Sequence, residues 1–293
     1  MLIIYNPAAG RRRAELLWRV LDVMSGNGVR VDLAETRHAG HAVELARDAT
    51  GRGVRLIVAA GGDGTIADVA NGLAGSGARL GIIPLGTANV LAHELGLPFA
   101  PKAVAAALAF GRTRALWSGV ARFGQESRVF VQMVGAGFDA QVVHRLSLRL
   151  KRAIGRNAYV AQSLRELSRY DFAPIRLRID GKAYETGSVV IAKGRFYAGR
   201  YTLAPEATPS EPGFTVALFT ANGPFATMMY GAALPLNLIS RMPGLRLIRA
   251  SHVEIDSVDI PAQADGDPAG CAPLTVTDSD GPIQVIVAKS HGL

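Results

Sequence analysis

The chain has 293 residues, 49% hydrophobic and 19% charged, which excludes intrinsic disorder and allows two domains of ordinary size. The single cysteine, Cys271, excludes an internal disulfide framework, fits a reducing compartment, and sits in a Pro/Gly-rich stretch as a bystander. The net charge of +8 favours an anionic partner: nucleic acid, an anionic membrane surface or a phosphate-rich ligand.

Met1–Tyr5 reads as a first buried strand. Asn6-Pro7-Ala8-Ala9-Gly10 turns the chain into a helix with Leu16, Leu17, Val20, Leu21 and Met24 on one face. Arg11, Arg12 and Arg13 crowd the start of that helix, as a solvated charge run or as positive charge near a polyphosphate, and their position after the first strand favours the second. The apolar run in MLIIYNPAAGRRR is too short for a signal peptide, and its charges follow the run instead of preceding it. Val29–Leu33 is the second strand. Glu35-Thr36-Arg37 leads into a helix through Ala42, Leu45, Ala46 and Ala49.

The stretch Leu56–Leu73 carries the strongest signal. Its apolar run Leu56–Ala60 predicts a strand buried on both faces, as in a parallel sheet. Gly61-Gly62-Asp63-Gly64-Thr65 then turns the chain, and Ile66, Val69, Ala70 and Leu73 recur at helical spacing. Glycines allow close backbone approach, and a helix N-terminus aims free N–H groups at an anion. That combination suits a phosphate chain. A carboxylate beside a phosphate, here Asp63, suggests a bridging Mg²⁺ or a ribose hydroxyl. Gly-rich turns of this kind are common in α/β proteins and many bind nothing, so further stretches are needed to make the case.

Leu80–Ile83 is the fourth strand. It runs into Pro84-Leu85-Gly86-Thr87-Ala88-Asn89 and a helix with Val90, Leu91 and Leu95; an alanine-rich helix covers Pro101–Phe110. The strand–helix alternation predicts a doubly wound parallel sheet, with ligands beyond the C-terminal strand ends. The turns at residues 6–10, 36, 61–65 and 86–89 all fall there.

Near Leu116 the pattern changes to short apolar runs separated by turns: Gly119–Phe123, Arg128–Val134, Ile175–Ile179, Ser188–Ala192, Phe214–Phe219, Val253–Ile260, Leu274–Thr277 and Ile283–Ala288. They predict a β-sandwich or barrel interrupted by helices at about 140–170 and 225–239. The expected domains are residues 1–118 and 119–293, with 265–270 as a polar loop between two strands of the second. No run of about 20 apolar residues could span a bilayer.

Asn6-Pro7…Gly10, Gly61-Gly62-Asp63-Gly64-Thr65, Pro84-Leu85-Gly86-Thr87-Ala88-Asn89 and Gln263-Ala264-Asp265-Gly266-Asp267, in this order, resemble the bacterial lipid kinases with a diacylglycerol-kinase catalytic domain, relatives of sphingosine and ceramide kinases. Gly135-Ala136-Gly137-Phe138-Asp139-Ala140 is similar to another segment of that family. GGDGT is shared with NAD kinases and phosphofructokinases; PLGT-x-N discriminates. The resemblance implies an N-terminal α/β nucleotide domain, a C-terminal β-sandwich domain, and transfer of the γ-phosphoryl of ATP to a lipid hydroxyl in a cleft, with Mg²⁺. It implies that Asn6, Gly10, Thr36 and Thr87 line the nucleotide, that Gly61, Gly62, Gly64 and Thr65 cradle phosphates, that Asp63 faces the metal, and that Asn89 braces its turn.

Phosphoryl transfer needs positive charge, a metal and a base for the attacking hydroxyl. The family base is usually a Glu after Asp-Gly; here Asp267 stands there, one methylene shorter, with Asp265 as the other candidate. A shift of about 1 Å can cost on the order of 10²-fold in rate. Val90 stands where many relatives have an acid, and Trp117-Ser118-Gly119 where many have an Asp. Some relatives bind a second, structural Mg²⁺ through an Asp-Gly loop; Glu211-Pro212-Gly213 keeps its carboxylate only in part.

Arg145–Ile154 combines the apolar stripe Leu146, Leu150 and Ile154 with four basic residues, fitting an anionic membrane surface or a helix packed on the sandwich. Phe225–Ile239 reads as a buried core helix or the wall of a lipid slot, kinked or ended by Pro235. The expected partners are therefore a lipid alcohol, such as diacylglycerol or a sphingoid-type alcohol, and an anionic membrane surface, with a cytoplasmic, peripherally membrane-associated location. A homodimer is compatible with the sequence. A soluble acceptor and a non-catalytic nucleotide or lipid binder stand as alternatives. Nucleic-acid binding ranks last, because no aromatic-interleaved basic patch occurs.

Overall fold

The computed structural model describes residues 1–8, 14–147 and 157–289. Gly10 and Arg11–Arg13 fall outside that range, as does most of the basic stretch 145–154. The chain forms two compact units, Met1–Trp117 with Asp280–Leu293, and Ser118–Ser279.

The first unit is built on a six-stranded sheet. Its order is Asp32–Glu35, Leu2–Tyr5, Leu56–Gly61, Arg79–Pro84, Ile283–Val287 and Arg112–Leu116. The first five are parallel and the last pairs antiparallel. Leu56–Gly61 lies between two strands and is buried beyond its first residue, which is why its sequence is continuously apolar. Leu17, Val20 and Met24 of helix Ala14–Gly26 pack with Val104 and Leu108 of helix Pro101–Phe110 over Ile3, Val58 and Ile83. Helices His41–Gly51 and Asp63–Leu73 pair so closely that a Cβ on Gly72 would come within 2.5 Å of Ala46 Cβ.

The second strand begins at Asp32, three residues after its expected start. Val29 and Val31 pack on the core before the ladder with Leu2–Tyr5 opens. The end of the chain also departs from expectation. Ile283–Val287, read as part of the second domain, instead pairs between Arg79–Pro84 and Arg112–Leu116. Arg112–Leu116 itself was not foreseen, because its RTRAL sequence buries only Leu116.

The second unit consists of two six-stranded antiparallel sheets. One runs Lys182–Thr186, Ile175–Ile179, His252–Ile255, Leu274–Asp278, Gly119–Phe123 and Glu126–Phe130. The other runs Leu245–Ala250, Phe214–Phe219, Ser188–Ala192, Met133–Ala136, Pro261–Ala264 and Asp267–Cys271. Phe130, Leu177, Val253 and Val276 of the first meet Val134, Ile191, Val216 and Leu218 of the second in one core. Ile175–Ile179 alternates buried and exposed residue by residue, as its sequence requires.

The predicted loop 265–270 is mostly strand. Asp265 (φ 50°) and Gly266 (φ 84°) alone form a two-residue hairpin turn, both in the left-handed region that such tight turns demand. The expected helix 140–170 contains two described helices, Phe138–Arg145 and Asn157–Glu166. The expected helix 225–239 ends at Ala233, before Pro235, followed by a 3₁₀ turn Ile239–Arg241. That helix packs Tyr230 and Ala233 on Met133, Val190 and Ala217, but Phe225, Met228 and Met229 are 72%, 49% and 42% exposed, so it is not a buried core helix.

Candidate active site

In the first unit the turns beyond the parallel strands are tied to one another. Strand pairing extends past Leu2–Tyr5: Asn6 N–H donates to Ala60 O (3.0 Å) and Thr36 N–H to Tyr5 O (2.8 Å). Asn6 Oδ1 accepts from Ala8 N–H (3.0 Å), while Asn6 Nδ2 donates to Thr65 Oγ1 (3.0 Å). Thr65 is buried against Gly61, where a Cβ would sit 2.5 Å from the Thr65 side chain; only glycine fits.

The two glycine turns stack backbone on backbone. A Cβ on Gly86 would be 2.6 Å from Gly62 Cα and 2.8 Å from Asn89 Oδ1. Leu85 N–H donates to Gly61 O (2.9 Å). Asn89 takes a left-handed conformation (φ 48°) and its Nδ2 donates to Gly86 O (2.8 Å) across its own turn. Asn89 Oδ1 is buried with no hydrogen-bond partner among the described residues. Thr87 is exposed on this turn, and Thr36 is half-buried on its own.

Asp63 opens helix Asp63–Leu73, but its carboxylate turns sideways. Oδ1 accepts from Leu91 N–H (3.1 Å), capping the short helix Val90–Glu94. Burial pushes its pKa up, opposed by amides of Leu91, Val90, Asn89 and Asp63 itself. The first intrahelical bond runs from Ile66 N–H to Gly62 O (3.0 Å), so the amides of Gly64 and Thr65 precede it. The helix has no side-chain cap. The closely apposed glycines and uncapped amides fit a phosphate chain. Asp63 is the one carboxylate this turn supplies, which fits a Mg²⁺ held largely by phosphate oxygens and water.

In the second unit the hairpin turn separates the two acidic candidates. Asp265 Oδ2 accepts from Val131 N–H (2.8 Å), and its Oδ1 from the amides of Gln132 (2.8 Å) and Met133 (2.9 Å). Both oxygens are engaged in holding the segment that leads into Met133–Ala136. Asp267 lies two residues on, its side chain 43% exposed, with Arg128 Nη2 at 3.9 Å. Gln263 Oε1 accepts from Gly266 N–H (2.8 Å), and its Nε2 donates to Asp139 Oδ2 (3.1 Å). Tyr197 O–H donates to the other Asp139 oxygen. Burial pushes the pKa of Asp139 up, opposed by these two bonds.

Glu211 does not present its carboxylate to a loop metal: Oε2 pairs with Arg249 Nη2 at 3.2 Å on the surface. Sequence reasoning missed Tyr197 and Lys193. Each acts through a partner more than 50 residues away in sequence, and neither sits in a recognisable motif. The His38, His41 and Glu44 cluster was also missed, although its close spacing around the Thr36 turn was a legible signal.

Residues 1–120 match the family described as the diacylglycerol kinase catalytic domain, and residues 132–287 the YegS C-terminal NAD kinase beta sandwich-like domain. A diacylglycerol kinase of Mycobacterium tuberculosis (strain H37Rv) is 30% identical over 292 residues, covering 95% of this chain and 89% of that protein. One of Bacillus subtilis (strain 168) is 34% identical over 190 residues, 62% of this chain and 60% of that protein. A crystal structure from Bacillus anthracis str. Sterne superposes with a TM-score of 0.80 at 20% identity, over 99% of this chain and 95% of that one. A diacylglycerol kinase structure from the same organism gives 0.71 at 18%, over 99% and 97%. The parallel α/β unit with its glycine turns and the antiparallel sandwich thus share the fold of those structures. The chain belongs to the family of diacylglycerol-kinase-like lipid kinases.

Proposed function

We propose that the protein is an ATP- and Mg²⁺-dependent lipid kinase that transfers the γ-phosphoryl group to a lipid hydroxyl, with diacylglycerol the first acceptor to test. The observation that carries this reading is the pair of glycine turns at 61–65 and 86–89, locked together by the Asp63 carboxylate on Leu91 N–H, the Leu85 N–H bond to Gly61 O and the Gly62–Gly86 contact, with Asn89 bracing the second turn. The amides of Gly64 and Thr65 bind the phosphate chain, Asn6 holds the Thr65 hydroxyl in place, and Thr36 and Thr87 line the rest of the nucleotide. Asp63 would help to hold Mg²⁺ beside the phosphate chain, and the ion would supply neutralising charge. Asp267 takes the proton of the acceptor hydroxyl as its oxygen bonds to the γ-phosphorus; the bond from that phosphorus to the β-phosphate oxygen breaks, and ADP leaves. Asp265 fixes the turn and takes no proton, since both its oxygens hold amides.

The exposed Phe225, Met228, Met229, Leu236 and Leu238 support a peripheral membrane location, where a lipid acceptor resides. Among the described residues no helix is long and apolar enough to cross a membrane.

A second reading, a nucleotide binder without transfer, is favoured by the short Asp267 and by Val90. Purified protein with labelled ATP and a panel of lipid and water-soluble alcohols decides between the readings. Label on a lipid alcohol is the expected result; label on soluble alcohols alone contradicts the lipid acceptor, and background transfer with retained ATP binding supports the binder.

A further inference from the structure

Lys193 is the most deeply buried basic side chain among the described residues, its side chain fully enclosed. It directly follows strand Ser188–Ala192, and its backbone N–H donates to Gln132 O (2.8 Å). Its Nζ donates to Asp278 Oδ1 (2.6 Å), to Gly213 O (3.0 Å) and to Glu211 O (3.4 Å). Asp278 Oδ2 accepts in turn from Gly213 N–H (2.5 Å). The Phe214 ring lies beneath the ammonium, its centroid 4.8 Å from Nζ. The surroundings are thus a carboxylate, two peptide carbonyls and an aromatic face.

Carboxylate and carbonyl oxygens are the donors a hard divalent cation takes. Some members of the family the sequence resembles hold a structural Mg²⁺ at this loop, through a carboxylate where Glu211 stands. The residues present do not fit that ion. The Glu211 carboxylate is turned out to Arg249, and only its backbone carbonyl faces inward. The inward oxygens converge on a fixed positive charge, which repels a second cation at hydrogen-bonding range.

We propose that the ammonium of Lys193 is the resident cation of this loop, doing with a side chain what a divalent ion would otherwise do. It joins the loop 211–213 and strand Ser188–Ala192, in one sheet of the sandwich, to Asp278 at the end of strand Leu274–Asp278, in the other. Burial disfavours the charged lysine and Asp278 favours it. A charge pair enclosed in this way is strongly damaged by loss of one member. The folded state of this chain therefore needs no divalent ion at the loop, and the same oxygens become a metal site once the ammonium is removed.

The test is thermal melting of the full-length protein without ATP or lipid, so its result is independent of whether the chain transfers phosphate. Wild type is expected to melt at one temperature in EDTA, in millimolar Mg²⁺ and in millimolar Ca²⁺. Lys193→Met, which fills the space without charge, is expected to melt lower by on the order of 10 °C, with no recovery in either ion. Lys193→Ala, which opens the space, is expected to melt lower and to regain part of the loss in Mg²⁺ or Ca²⁺ but not in EDTA. A wild-type melting temperature that falls in EDTA and returns with Mg²⁺ overturns the proposal, as does a Lys193→Met protein as stable as wild type or a Lys193→Ala protein indifferent to both ions. If neither variant folds, wild type decides alone by the same chelation criterion.

Discussion

Asp265 and Asp267 are two residues apart and have opposite environments. Asp265 satisfies three amides through two oxygens, whereas Asp267 has a half-exposed side chain beside Arg128. Asp265→Ala leaves those amides without their acceptor and should lower stability by about 2–3 kcal/mol, whereas Asp267→Asn should change it by no more than about 0.5 kcal/mol; denaturant midpoints measure both. Sequence alone left the two as alternatives for one role, because the partners of Asp265 are about 130 residues earlier in the chain and carry no side-chain signature. Asp139 makes a pH prediction. Its folded pKa is raised above the ordinary value of 3.8 by burial, so the native state holds the proton where the unfolded chain has released it. The Asp139 contribution therefore weakens stability as pH rises from about 3.8 toward the folded value. Asp139→Asn removes that contribution, and the stability of the variant relative to wild type should increase with pH across the same range. A relative stability flat with pH would contradict the assignment.

Among elements, the paired glycine turns carry the most information. The first was legible because a continuous apolar run stops at three glycines and a helical period begins, each with a local physical cause. Its contact with the second turn was not, since nothing in either motif states that Gly86 lies against Gly62 or that Asp63 caps the helix after Asn89. Gly86→Ala would drive a methyl group into the Gly62 backbone and should lower stability by about 1–3 kcal/mol. ATP affinity, read by calorimetry, should fall with it, because separating the turns moves the amides of Gly64 and Thr65. Unchanged ATP affinity would show that the two turns do not act as one cradle. The sandwich strands were legible where one face is solvated, as in Ile175–Ile179. Where burial is weak they were not, as in Leu245–Ala250, and the edge strand of the first sheet, Arg112–Leu116, was hidden for the same reason. The helix Pro224–Ala233 misled for the opposite reason: apolar composition suggests burial, yet only Tyr230 and Ala233 are buried and Phe225, Met228 and Met229 are exposed.

At the scale of the whole molecule, the chain leaves the first unit near Trp117 and returns to it at Asp280, so the last strand completes the first sheet. A reading by sequence neighbourhood assigns that strand to the sandwich, because an apolar run carries no mark of which sheet receives it. Solvent exposure of Phe225 and Met228, on a molecule with net charge +8, makes a prediction for the chain as a unit. Vesicles of mixed neutral and anionic lipid should co-float with wild type, and Phe225→Glu with Met228→Glu should abolish flotation while far-UV circular dichroism is unchanged. Flotation that survives both changes would exclude this face, and a concentration-dependent dimer lost in the variant would assign it to a second copy of the chain.

The central claim is that a nucleotide held by the glycine turns gives its terminal phosphoryl group to a lipid hydroxyl deprotonated by Asp267. It is tested most directly by transfer of label from γ-labelled ATP to diacylglycerol in mixed micelles, for wild type and Asp267→Asn side by side. The expected result is label on the lipid hydroxyl with wild type, and a rate lower by roughly 10²–10⁴-fold in the variant with ATP binding intact. Equal rates for the two proteins, or no transfer by wild type while it binds ATP, would contradict it.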